Sequence, residues 1–120
     1  MRSDHDRLRD ILDCAERITR YGDIGGPEDL VLDAILHNLV VIGEAVRGLS
    51  DACREREPAV RWSAIVSMRN LLAHEYFRIE YEQVRDVVEV HVPTLAAAVR
   101  RLLSSFAGPN RDLGVEVGDE

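Results

Sequence analysis

The chain has 120 residues, 46% of them hydrophobic, which is enough to bury the core of one compact domain without disulfides or metals. Its formal net charge is −7 and its fifteen basic residues are all arginine, which argues against binding nucleic acid over a broad basic surface and leaves a local cationic cleft or low-affinity action on RNA for such a role. No apolar run approaches the ~20 residues of a membrane span, and the Asp- and Arg-rich start is not that of a signal peptide, so a soluble, cytoplasmic protein is expected.

The first helix is expected from Ser3 to about Tyr21, with Leu8, Ile11, Leu12, Ala15 and Ile18 at helical spacing and Ser3 or Asp4 as its cap. Gly22, Gly25, Gly26 and Pro27 break that pattern into a turn with no phosphate-binding signature. The second helix should start near Glu28 or Asp29, acids that suit its positive end, and run through Ile35, Ile42 and Val46 to Leu49. Its middle, Leu39 to Gly43, is apolar almost all round, which implies burial on more than one side, by its own bundle or by a second subunit. Gly43 and Ala45 would admit a close helix from that second subunit.

Pro58 closes this region, and the third helix opens at Trp62-Ser63 with Ser63 as cap, Trp62 as a core anchor, and Ile65, Met68, Leu71 and Leu72 as the core stripe. The fourth runs from about Glu80 to Ser105 or Phe106, kinked or broken at Pro93. Residues 107–120 read as a mobile acidic tail beyond a domain of residues 1–106. No stretch alternates long enough for a strand, so the fold expected is all-α, an antiparallel bundle of four to five helices. Cys14 and Cys53 lack a CxxC spacing and read as reduced, inert thiols on helices. His5 and His91 read as surface residues, and no two histidines stand at a metal-ligand spacing.

The run that carries chemistry is Met68-Arg69-Asn70-Leu71-Leu72-Ala73-His74-Glu75-Tyr76-Phe77. Arg69 and Tyr76, seven apart, share one face of a helix; Asn70 and His74, four apart, share the next. Arg69 and His74 then stand about 140° apart, so they converge on one ligand only if the helix loosens, if the side chains lean, or if a second copy completes the site. The set suits phosphodiester cleavage. An imidazole exchanges protons near neutral pH. A guanidinium holds phosphate oxygens with paired bonds. An amide orients either, and none of this calls for a metal or another cofactor. Glu44 either pairs with Arg69 across the bundle or stands in solvent. His37 is either a hydrogen-bonded interface residue or a contact to a ligand in the cleft.

Arg69, four residues, His74, one residue and Tyr76 make the pattern R-x4-H-x-Y, which resembles the signature of the HepT subgroup of HEPN domains. Ile42-Gly43-Glu44-Ala45 resembles that family's IGEA segment, and Trp62 with Met68-Arg69-Asn70 resembles its third helix, a likeness spanning about residues 5 to 104. The resemblance implies a HEPN-type helical homodimer with both motifs facing a shared cleft. It implies an endoribonuclease toxin without a metal, Arg69 and His74 catalytic, Asn70 supporting, and the RNA 2′-hydroxyl as nucleophile; Glu44, if paired with Arg69, would be a second supporting residue. It further implies that a partner minimal nucleotidyltransferase, the antitoxin, modifies Tyr76 with AMP. His37 stands before Asn38 where relatives often carry an arginine, and Glu75 sets a negative charge beside His74. Two other readings stay open: a nucleotide-binding helper subunit that cuts nothing, and a purely structural helical dimer.

Overall fold

The computed structural model describes residues 2–75 and 79–106. Tyr76 and the stretch 107–120, expected as a modification site and a tail, lie outside these residues.

Helix α1 (Asp4–Ile24) is fixed at its start by a reciprocal pair of bonds. The Ser3 hydroxyl accepts from the Asp6 backbone N–H at 3.1 Å, and the Asp6 carboxylate accepts from the Ser3 N–H at 3.3 Å. Hydrogen bonding from Ser3, its backbone N–H first and then its hydroxyl, holds the Asp6 carboxyl below the usual carboxylate range. All five residues of the expected stripe, Leu8, Ile11, Leu12, Ala15 and Ile18, are buried. The helix runs through Gly22, because the chain reverses only where Gly25 and Gly26 take φ of 76° and 128°.

Helix α2 (Glu28–Arg47) returns along α1, the arrangement that so short a connection enforces. Ile35, Leu39, Ile42 and Val46 are buried, Val40 and Val41 half-buried. Leu30, at 65% exposure, stands outside the core. Asn38 is buried on this helix and gives its amide N–H to the Ala34 carbonyl at 2.9 Å, so it costs little to keep there.

A short helix absent from the sequence reading, α3 (Asp51–Glu55), follows. The Ser50 hydroxyl caps it by accepting from the Cys53 N–H, while Asp4 accepts from both the N–H and the hydroxyl of Ser50 at 2.9 and 2.6 Å. Helix α4 (Trp62–His74) begins one residue before the expected Ser63 cap. The reason is the indole of Trp62, which is buried and donates to the carbonyls of Arg54 and Glu57 at 3.0 and 3.1 Å. Leu72 is in the core and Ile65 and Met68 line it, but Leu71 is 44% exposed, contrary to its expected place.

The last helical stretch is continuous but irregular: α5 (Tyr81–Asp86), a π turn at Val87–His91, then α6 (Val92–Phe106). Pro93 neither breaks nor ends it; the irregularity is the wider turn just before it, closed by the Val92 N–H on the Val87 carbonyl. The extra residue also sets the register. In an unbroken α-helix the residue seven after Val84 lies about 20° from it, and that residue is His91. With the wider turn, Val92 takes the core position at 3% exposure and His91 turns outward. Helix α1 packs against α2 and α6, and α2 against α4, in an all-α bundle without a strand among the described residues.

Candidate active site

Helix α4 stays regular through His74, so the loosening that would bring Arg69 and His74 together within one chain does not occur. Arg69 turns toward α2. One of its terminal nitrogens donates to the Glu44 carboxylate and the other to the Asn70 side-chain oxygen at 3.0 Å. Of the two alternatives for Glu44, the ion pair is the one realised. The Arg69 side chain is 21% exposed, and its Nε is buried without a hydrogen-bond partner.

Asn70 and His74 are exposed and share the neighbouring face of α4. His74 is the last helical residue, and among the described residues its side chain makes no hydrogen bond or ion pair. The exposed strip of this helix comprises Ser63, Ala64, Ser67, Asn70, Leu71 and His74: small or apolar side chains leading to the two polar ones.

His37 is exposed on α2, and its side chain makes no hydrogen bond among the described residues. Gly43 is buried and faces Arg69 inside the chain, so the close helix it admits is α4 and not a second subunit's. His5 and His91 are exposed as expected; His5 lies edge-on to Phe106 with ring centroids 5.5 Å apart, and His91 stands 3.5 Å from Asp86.

An apolar cleft of about 360 Å³ opens between α2, the start of α4 and the π turn, lined by Leu39, Ile42, Ile65, Met68, Val87 and Val92. None of Arg69, Asn70 and His74 lines it. Asn70 and His74 therefore stand on the exposed surface of α4, outside this cleft. No group of three or more His, Cys, Asp or Glu among the described residues could hold a metal ion, and no described helix is long and apolar enough to cross a membrane.

The profile of the family described as Ribonuclease HepT-like matches residues 6–102. The chain belongs to the HepT-like ribonuclease family. Its curated relatives point the same way. A candidate RNase of Caldanaerobacter subterraneus subsp. tengcongensis is 36% identical over 81 residues, 63% of this chain and 72% of the relative. A candidate RNase of Methanocaldococcus jannaschii is 34% identical over 97 residues, 77% of this chain and 89% of the relative. The probable ribonuclease HepT of Thermococcus cleftensis is 27% identical over 106 residues, 84% of this chain and 96% of that one. No solved structure matches the chain. The HepT-like fold here is what sets Arg69 against α2 and leaves Asn70 and His74 on the open face of α4.

Proposed function

We propose that this HepT-like protein is a metal-independent endoribonuclease toxin of a type VII toxin–antitoxin pair, acting in the cytoplasm as a homodimer with Arg69 and His74 as its catalytic residues. The observation that carries the reading is the state of Arg69: a mostly buried side chain whose guanidinium is held at a fixed angle by Glu44 and Asn70, five residues before an exposed imidazole on the same helix. In the cut, a ribose 2′-hydroxyl attacks the adjacent phosphorus and gives up its proton. The bond to the 5′-oxygen breaks, and that oxygen takes a proton. The products are a 2′,3′-cyclic phosphate and a 5′-hydroxyl. His74 exchanges one of those protons. Arg69 meets the charge gathering on the phosphate oxygens. Asn70 orients Arg69, and His37, exposed on α2, is a further contact for the RNA strand.

Because the two residues stand apart on one regular helix, the site is completed by a second copy. The exposed strip of α4, which includes the apolar Leu71, is the face that supports this pairing. Tyr76 follows His74 by two residues in the sequence. Adding AMP to its hydroxyl would place a phosphodiester charge against Arg69 and a base across the path of RNA, which is how a nucleotidyltransferase antitoxin would neutralise the site.

The test is cleavage of end-labelled single-stranded RNA in EDTA by wild type, His74→Ala and Arg69→Ala. Either substitution should lower the rate by roughly 10²–10⁴ without unfolding the protein. Binding of nucleotide with no cleavage by the wild type would favour the helper reading instead. Full cleavage by His74→Ala would exclude the mechanism. For control by modification, mass spectrometry after co-expression with the neighbouring nucleotidyltransferase should show added AMP that disappears in Tyr76→Phe.

A further inference from the structure

We infer that Gly43 is a positioning residue for Arg69: the side chain missing from α2 is the seat that the stem of the arginine fills. This rests on the reading that Arg69 acts on RNA. A Cβ placed on Gly43 would lie 2.2 Å from the Cβ of Arg69, 2.6 Å from its Cγ and 3.5 Å from its Cα. Those atoms are the root of the side chain, so they cannot swing aside as a flexible tip would. Either α4 moves or the arginine leaves its rotamer.

The contrast with Gly48 is instructive. A Cβ there meets only the guanidinium end of Arg7, which can move away, and one at Gly22 meets nothing within 4 Å. Gly43 also has no backbone reason to be glycine, since the positive φ angles belong to Gly25 and Gly26. Glycine inside a helix is destabilising relative to alanine, so space for Arg69 is what its presence provides.

The seat and the tether come from consecutive residues. Gly43 receives the stem, and Glu44 takes an N–H from the far end of the same side chain. With Nε shut from solvent and one N–H on each terminal nitrogen committed, the guanidinium keeps two of its five N–H donors for a phosphate. A shift of about 1 Å at such a group costs on the order of 10²-fold in rate.

Gly43→Ala should therefore lower kcat by about 10²-fold with a smaller change in KM, while Gly22→Ala, the control, cleaves as wild type. In an Arg69→Ala background Gly43→Ala should still lower the melting temperature, because the two Cβ atoms still collide, yet should cost no further activity. A merely structural role would lower activity in both backgrounds. A second readout needs no cleavage: the buried Nε–H of Arg69 should give a slowly exchanging NMR resonance in wild type that shifts or is lost in Gly43→Ala. If Gly43→Ala does not fold, Arg69→Gly beside it should restore folding, since the clashing carbon is then gone. Wild-type activity and an unchanged Nε–H signal in Gly43→Ala would overturn the inference, as would failure of Arg69→Gly to recover the fold. If wild type cuts no RNA, the function proposed above falls, and the Nε–H signal and the recovery still decide the seat.

Discussion

A guanidinium that gives one N–H to a carboxylate and another to an amide is restrained in angle as well as position, and Arg69 has both bonds. The two cysteines have the opposite kind of surroundings. Cys14 is 2% exposed and Cys53 5%, and burial pushes both thiols up from their ordinary range. Both should therefore stay silent toward a thiol reagent such as DTNB at pH 8 until the protein is unfolded, then react together. Rapid labelling of either in the native protein would contradict this. The sequence placed both cysteines on helices, as they are found, but gave no sign of their burial. The candidate site was legible in part. Helical periodicity placed Asn70 and His74 on one face, but it left Glu44 undecided, because pairing with Arg69 depends on a gap in another helix, 26 positions earlier at Gly43.

Among the elements, the π turn at Val87–His91 has two causes that can be separated. Pro93 has no N–H and its ring crowds the preceding turn of a regular helix. Independently, the core needs Val92 and not His91 below Val84, which takes one residue more than α geometry supplies. Pro93→Ala alone should leave the π turn in place, since the register requirement remains. Deleting the exposed Val90 in that Pro93→Ala background should convert the stretch to ordinary α-helix with Val92 still inward, because Val92 then becomes seventh after Val84. Circular dichroism should show cooperative melting close to that of Pro93→Ala. Deleting Thr94 in the same background should not be tolerated, since it turns Leu95, Val99 and Leu102 by about 100° away from the core. Equal damage from both deletions would mean that register is not what holds the turn. The proline was visible in the sequence as a disturbance, but its form was not: a kink, a break and a π turn share that signature, and only the burial of α6 against α1 selects among them. The missed α3 has a similar cause. Five residues carry too little periodicity to register, although Ser50 ahead of Asp51 is a cap signal.

For the molecule as a whole, the joints between distant segments were the least legible feature, because they follow no periodicity. Glu57 and Arg101 are 44 residues apart, yet the Glu57 carboxylate accepts two bonds from one guanidinium, at 3.0 Å from Nε and 2.9 Å from the terminal nitrogen. The pair joins the connection between α3 and α4, which also carries the carbonyl that anchors Trp62, to α6. Arg101 holds the Glu57 carboxyl below its ordinary range, and Glu57 in turn raises the guanidinium of Arg101. A carboxyl depressed in the folded state adds stability above its unfolded pKa of about 4.3, and that stability is lost as pH falls through the lower, folded value. Wild type alone would not isolate this effect. The capping carboxylate Asp6 loses its own contribution in the same acid range, while protonation also relieves the repulsion of a chain with a net charge of −7. The difference between wild type and Glu57→Gln removes those shared terms. Urea melts of the two proteins should therefore differ by a constant amount, with wild type the more stable, from pH 7 to about pH 5. Below about pH 4 the difference should shrink, as wild-type Glu57 takes up its proton and the two side chains become alike in charge. A difference that persists undiminished into strong acid would show that the joint acts through packing, and one that is absent at pH 7 would show that the ion pair does not hold α6 to the connection.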